Sequence, residues 1–330
     1  MDKLTVVVGS GRWWRNIAGG FLGTMLGTSA YMVYHNKLGQ LPINVSFFWF
    51  SLFATIAAFF FPARLARQEK NHGRLGFDLW VESLRVGRIW IFLAAITQVL
   101  YFYCLLTSLQ VAQSGVIMTV LVLQMLNPLF FVLAGYKWLG HYCQRWSYYV
   151  LGFILTTGGV FLYKYSPLGI DRFRLFDEIT VLMLFVMIFD IANSITRAKH
   201  NQQHGVDALQ TARSIQVIMT VCGLAWMLLG PLRLPTGEEF LALLFIGFVP
   251  TAYGSILKNR AQDSLGIPLS SSIANLRPFA ALLLGAIPGT WLSNEAGLFT
   301  GRHWLGMVMA LAGLLVVAWL AKPQPPGNRT

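Results

Sequence analysis

Apolar residues in this chain do not alternate with polar ones. They gather in stretches about 20 residues long, the length a helix needs to cross a bilayer, divided by short runs rich in Arg, Lys, Asn, Gly and Pro. The pattern predicts ten spans: Ile17–Tyr34, Val45–Phe61, Ile89–Leu109, Gly115–Tyr136, Ser147–Tyr163, Ile179–Thr196, Ser214–Leu232, Phe240–Leu257, Pro268–Ile287 and Trp304–Ala321. Hydrocarbon offers the backbone no water, so every span must be helical or closed off from lipid. The strict alternation of a transmembrane barrel is absent from the sequence. The expected fold class is an all-α membrane protein with ten transmembrane helices. In the longest loop, Phe77 to Leu84 has helical spacing of apolar residues. It reads either as a short interfacial helix or as an ordinary amphipathic linker.

Two spans carry a proline in the same place. Leu126-Asn127-Pro128-Leu129-Phe130 is followed by Gly152 and Gly159; Leu276-Arg277-Pro278-Phe279-Ala280 is followed by Gly306 and Gly313. Proline removes a backbone donor and clashes with the preceding turn, so matched prolines in apolar segments point to duplication. The first and sixth spans also align at a constant offset of 162, which sets Ile179 on Ile17, Ala192 on Ala30 and Lys199 on Lys37. The expected unit is therefore five helices, residues 1–165 and 166–330. Five is odd, so the second copy is inverted relative to the first, the arrangement that gives transporters alternating access.

Charge fixes the expected orientation. With the N-terminus inside, 18 of the 25 basic residues fall on the cytoplasmic side and 6 on the other, leaving Arg277 within a span. That bias places both termini in the cytoplasm and the chain, multi-pass, in the cell (inner) membrane. Basic charge then reads as topology and attraction to anionic lipid, and nucleic acid is not an expected partner. The cysteines, Cys104, Cys143 and Cys222, have no metal-ligand spacing, and Val8-Gly9-Ser10-Gly11 lacks the helix of a dinucleotide site. The histidines are scattered; His200 and His204 are four apart but have no companion carboxylate motif. No cofactor, metal or catalytic residue is implied, and the chain does not read as an enzyme.

Arg277, near mid-span, is the most informative polar residue. A charge there costs about 2.5–3.5 kcal/mol on insertion scales, and such residues usually face a cavity or a partner. Arg277 reads as an anchor for a carboxylate or phosphate, or as the partner of Asp190, the acidic residue at comparable depth. Asp190 could instead carry a proton, so a proton or a counter-substrate is the candidate coupling partner. Further candidates for the substrate-binding wall are Thr28, Tyr31, Gln98, Tyr101, Gln124, Asn127, Asn193, Tyr253, Ser271 and Asn275. Thr28 falls on Asp190 at the offset of 162. Gln124 with Asn127, Asp190 with Asn193, and Ser271 with Asn275 share helical faces. For any single hydroxyl, an ordinary interhelical hydrogen bond is the simpler reading. Gly19, Gly23 and Gly27 form a small-residue row that reads as a packing seam, within the monomer or in a homodimer.

Taken together, Leu109 to Pro128 with Leu139-Gly140, Gly152 and Gly158-Gly159, then Gly247, Thr251-Ala252, Ser270 through Phe279, Gly306 and Ala312-Gly313, resemble the drug/metabolite transporter superfamily in its ten-helix, EamA-like permease branch. The chain departs from that pattern at Gly140-His141, where Gly-Glu is frequent, and at Trp49-Phe50-Ser51, where an arginine is common. The resemblance implies a secondary transporter that exports or exchanges small metabolites through a central cavity. The expected substrate is anionic or zwitterionic. The alternatives on the same fold are a flippase for a lipid or lipid precursor and a non-transporting membrane assembly factor.

Overall fold

A computed structural model describes residues 11–60, 81, 84–85, 87–111, 117–138, 142–143, 145–164, 178–204, 208–254, 256–258, 261, 270, 273–274, 276–285, 301–320 and 323–324. Its elements in chain order are α1 (Gly11–Val33), α2 (Ile43–Phe60), α3 (Arg88–Val111), α4 (Ile117–Leu123), α5 (Asn127–Trp138), β1 (Tyr142–Cys143), α6 (Trp146–Lys164), α7 (Glu178–His204), α8 (Ala208–Leu229), α9 (Gly237–Ile246), α10 (Arg277–Gly285), α11 (Gly301–Leu315) and β2 (Pro323–Gln324). Wider π turns extend α1 over Tyr34–Leu38, α9 over Gly247–Gly254 and α11 over Val316–Leu320. Apart from the two-residue antiparallel pair β1–β2, the described elements are helical.

Seven described helices are long and apolar enough to cross a membrane: Ile43–Phe60, Arg88–Val111, Val120–Trp138, Trp146–Tyr163, Glu178–Asn201, Leu209–Leu229 and Gly237–Lys258. The chain is thus a multi-pass helical membrane protein. Helix α1 has the length, but Arg15, Thr24, Thr28, Ser29 and its glycines dilute its hydropathy. Most of the proposed interfacial segment Phe77–Leu84 lies outside the described residues. Helix α7 runs on to His204, so Arg197 and Lys199, counted above with a loop, are helical; Arg213 is buried on α8.

The helices sort into two compact units, residues 1–28, 113–177 and 257–330 in the first and residues 29–112 and 178–256 in the second. In the second unit α2 packs on α8 and on the π turn after α9, while α3 packs on α7 and α8. Gly247 permits the α2 contact: a β-carbon there would lie 2.7 Å from the Phe50 carbonyl oxygen. Phe47 and Phe50, both almost fully buried, meet edge to face at 5.4 Å, with Trp226 at 5.7 Å from Phe47 and Phe102 at 5.1 Å from Phe50. One end of this unit is pinned by Lys37 on Glu238 at 3.0 Å and Arg233 on Glu239 at 2.9 Å. Glu239 also closes the Thr236 capping box that starts α9.

The first unit is built on an antiparallel pair, α6 against α11. A β-carbon on Gly152 would sit 2.6 Å from the Gly313 carbonyl oxygen, and one on Gly313 would sit 2.6 Å from that of Gly152. One turn-pair along, the distances are 2.5 Å from Gly159 to the Gly306 oxygen and 2.7 Å for the reverse. Thr156 lies between these crossings. Its hydroxyl donates to Gly152 O at 2.8 Å and to Ala310 O at 3.3 Å. Beside the Gly19, Gly23, Gly27 row, Gly20 makes a close approach, where a β-carbon would lie 3.2 Å from that of Ala261, while a β-carbon on Gly27 would meet nothing within 4 Å in the single chain.

Substituting Gly159 or Gly313 with Val should lower stability by about 1–3 kcal/mol, the usual cost of overpacking. Gly27→Ala should be neutral or mildly stabilising, because alanine favours a helix and nothing stands in its way. Thermal unfolding midpoints of the purified variants in detergent check both.

Candidate functional site

Proline shapes the site before any side chain does. Pro128 cannot donate to the carbonyl of Gln124, its partner in a continuous helix. The Asn127 N–H takes that carbonyl instead, tightening Gln124–Leu126 into a single 3-10 turn between α4 and α5. The second proline segment also begins afresh: Leu276 N–H bonds Ile273 O at 3.1 Å, and α10 starts at Arg277. Asn127 and Arg277, the residues where the two sequence motifs differ, therefore each open a helix.

Arg277 is buried, and its Nη1 donates to Oε1 of Gln124, which is also buried. The Nε2 of Gln124 has no hydrogen-bond partner. Around Arg277 the first unit holds a small pocket lined by Gly20, Gly23, Thr24, Lys258, Ala261, Ser270 and Ala274. It encloses about 20 Å³, room for roughly one water. The Thr24 hydroxyl is spent on Gly20 O at 2.9 Å and Ile273 O at 3.4 Å. Two cations face this space and no carboxylate does, among the described residues. The N-terminus of α10, with its partial positive charge, adds to the same sign.

Of the first-unit candidates, Gln124 and Arg277 are thus brought together. Asn127 is buried at the helix break. Thr28 is fully buried and donates to the Thr24 carbonyl on its own helix at 2.8 Å, an ordinary structural hydrogen bond. Ser271 and Asn275 lie outside the described residues.

The second unit gathers the others in polar pairs. The hydroxyls of Tyr31 and Tyr101 meet at 2.9 Å, both side chains buried. Gln98 Oε1 accepts from Arg197 Nη2 at 3.0 Å, and Asn193 Nδ2 donates to the Ala94 carbonyl at 2.6 Å, tying α7 to α3. Asp190 is half-buried one turn before Asn193, whereas Tyr253 is 43% exposed. Sequence reasoning missed Arg197 as a partner of Gln98 because α7 continues past the apolar stretch. The place of Lys258 beside Arg277 likewise depends on the fold.

No protein-family model matches the sequence, and no curated protein matches it. A solved protein crystal structure shares the fold: it superposes with a TM-score of 0.63 at 16% identity, over 93% of this chain and 99% of that one.

Gln124→Leu removes the acceptor of a buried guanidinium. It should cost about 1–3 kcal/mol, the penalty for stranding a buried polar group, or more because the group is charged. Gln124→Glu, which keeps an acceptor and adds a countercharge, should retain the wild-type unfolding midpoint more closely in the same assay.

Proposed function

We propose that this chain is a secondary transporter that exports or exchanges a small anionic or zwitterionic metabolite by alternating access. It belongs, on this reading, with the EamA-like drug/metabolite permeases, in the inner cell membrane with both termini cytoplasmic. The observation that carries the proposal is Arg277: a buried guanidinium at a helix start that donates to Gln124 and lines a pocket together with Lys258. Intramembrane ionisable residues are rare, and they mark substrate or ion pathways. A forked guanidinium suits carboxylate or phosphate in particular.

Helix pairing supports the transport cycle. The second predicted span packs on the seventh and the fifth on the tenth, the partners that an axis relating two inverted halves brings face to face. Exchanging the conformations of such halves exchanges inward and outward access. The pocket at Arg277 holds about one water, so the arrangement fits a closed state that must open before a metabolite binds. In that step the substrate anion replaces the Gln124 oxygen as guanidinium acceptor. Lys258 supplies a second positive charge, and a coupled proton, if one is used, is assigned to Asp190.

Protein reconstituted into liposomes should exchange at least one member of a panel of labelled carboxylates, phosphate esters and amino acids. Arg277→Gln should lower that flux at least tenfold while the unfolding midpoint is retained, and Arg277→Lys should recover part of it. Folded protein that moves nothing in the panel would overturn the transporter reading. Flux indifferent to Arg277→Gln would overturn the role given to Arg277.

A further inference from the structure

The last turn of α7 carries two imidazoles that no part of the transport reading uses. His200 is fully buried, and neither its Nδ1 nor its Nε2 has a hydrogen-bond partner. In neutral imidazole one ring nitrogen is a donor and the other an acceptor, so both capacities are stranded. Buried polar atoms in native proteins are almost always satisfied, and an orphan needs a physical reason. His204, four residues on and therefore on the same helical face, is exposed, with its ring centroid 5.4 Å from that of His200.

Gly87 shows where the two rings point. It holds a left-handed backbone, φ 66°, just ahead of α3, and the Trp90 N–H bonds its carbonyl at 2.9 Å. A β-carbon at Gly87 would lie 2.7 Å from His200 Nδ1 and 2.6 Å from His204 Nε2. One nitrogen of each ring thus lies against the same face of Gly87, where any larger residue would displace both rings. Lys199, the neighbouring cation, is drawn aside over the Trp90 ring at 5.0 Å.

We propose that His200 and His204 form a chelating site for a divalent transition-metal cation of the zinc, nickel or copper class. Neutral imidazole is a preferred ligand of these ions, and two histidines four apart on one helical face are spaced to share one ion, at a metal–nitrogen distance of about 2.0–2.1 Å. Among the described residues no third His, Cys, Asp or Glu joins the pair. Water fills the remaining positions, which makes the site exchangeable rather than a closed structural centre. Metal bound at this turn joins the end of α7 to the start of α3 and satisfies the buried ring.

The test uses tag-free, full-length protein in detergent, titrated with Ni²⁺ alone and with Zn²⁺ alone by calorimetry and by thermal unfolding. Wild type should bind one equivalent and unfold at a higher temperature with metal present, because the ligand favours the native state. His204→Gln, at an exposed position, should weaken binding at least tenfold and abolish the shift. His200→Phe should do the same while leaving the metal-free midpoint unchanged or raised, since an apolar ring of similar shape removes the stranded nitrogens. Absence of binding to wild type overturns the proposal, as does binding that persists in His204→Gln. Should His200→Phe fail to fold, the exposed variant decides alone.

Discussion

Backbone proximity between α6 and α11 is the constraint on which the first unit rests. In lipid, an apolar side chain gains little by exchanging acyl chains for protein, so helices associate through close packing and hydrogen bonds. Gly152 against Gly313 and Gly159 against Gly306 provide both closeness and register, because each glycine occupies the space over its partner's carbonyl. Thr156 adds the polar bond between the crossings. The same antiparallel register continues beyond the helices, where Tyr142 stands opposite Gln324 and Cys143 opposite Pro323. A pairing fixed at two points and closed at its end leaves little freedom to slide.

Proline works in the opposite sense. At Pro128 the helical ladder is cut, and the Asn127 N–H rescues the Gln124 carbonyl by a tighter turn. That small change in pitch presents the Gln124 side chain to Arg277, itself the first residue of the other proline helix. Rigid seam and broken helix thus sit in one unit, the first holding position and the second placing the polar groups.

Much of this was written in the local pattern. Apolar runs located α2, α3, α6, α7, α8 and α9, because a membrane span needs length and composition before it needs neighbours. The paired glycines, seven residues apart in both halves, announced a repeat; that they form a seam is visible only in the fold. The proline motifs announced the breaks. Polar partnerships were less legible: Gln124 with Arg277 and Gln98 with Arg197 join residues far apart in sequence, and spacing along one helix carries no information about the other. Helix ends were misjudged where charged residues prolong a helix beyond the apolar stretch, as at Arg197 to His204 on α7. The small-residue row on α1 was legible only in part, for a related reason. A glycine stripe shows where a backbone can approach, and Gly20 rather than Gly27 shows where one does.

If Arg277 receives the substrate as proposed, its hydrogen bond to Gln124 bears on discrimination between ligands. The guanidinium already has an uncharged acceptor at hand, so an incoming molecule is weighed against that amide and not against an empty space. A neutral oxygen offers the arginine nothing it lacks. A carboxylate or phosphate oxygen forms a charge-assisted bond roughly twice as strong as a neutral one. Selectivity for charge is then a difference between two acceptors of the same arginine, one carried by the protein and one brought from outside.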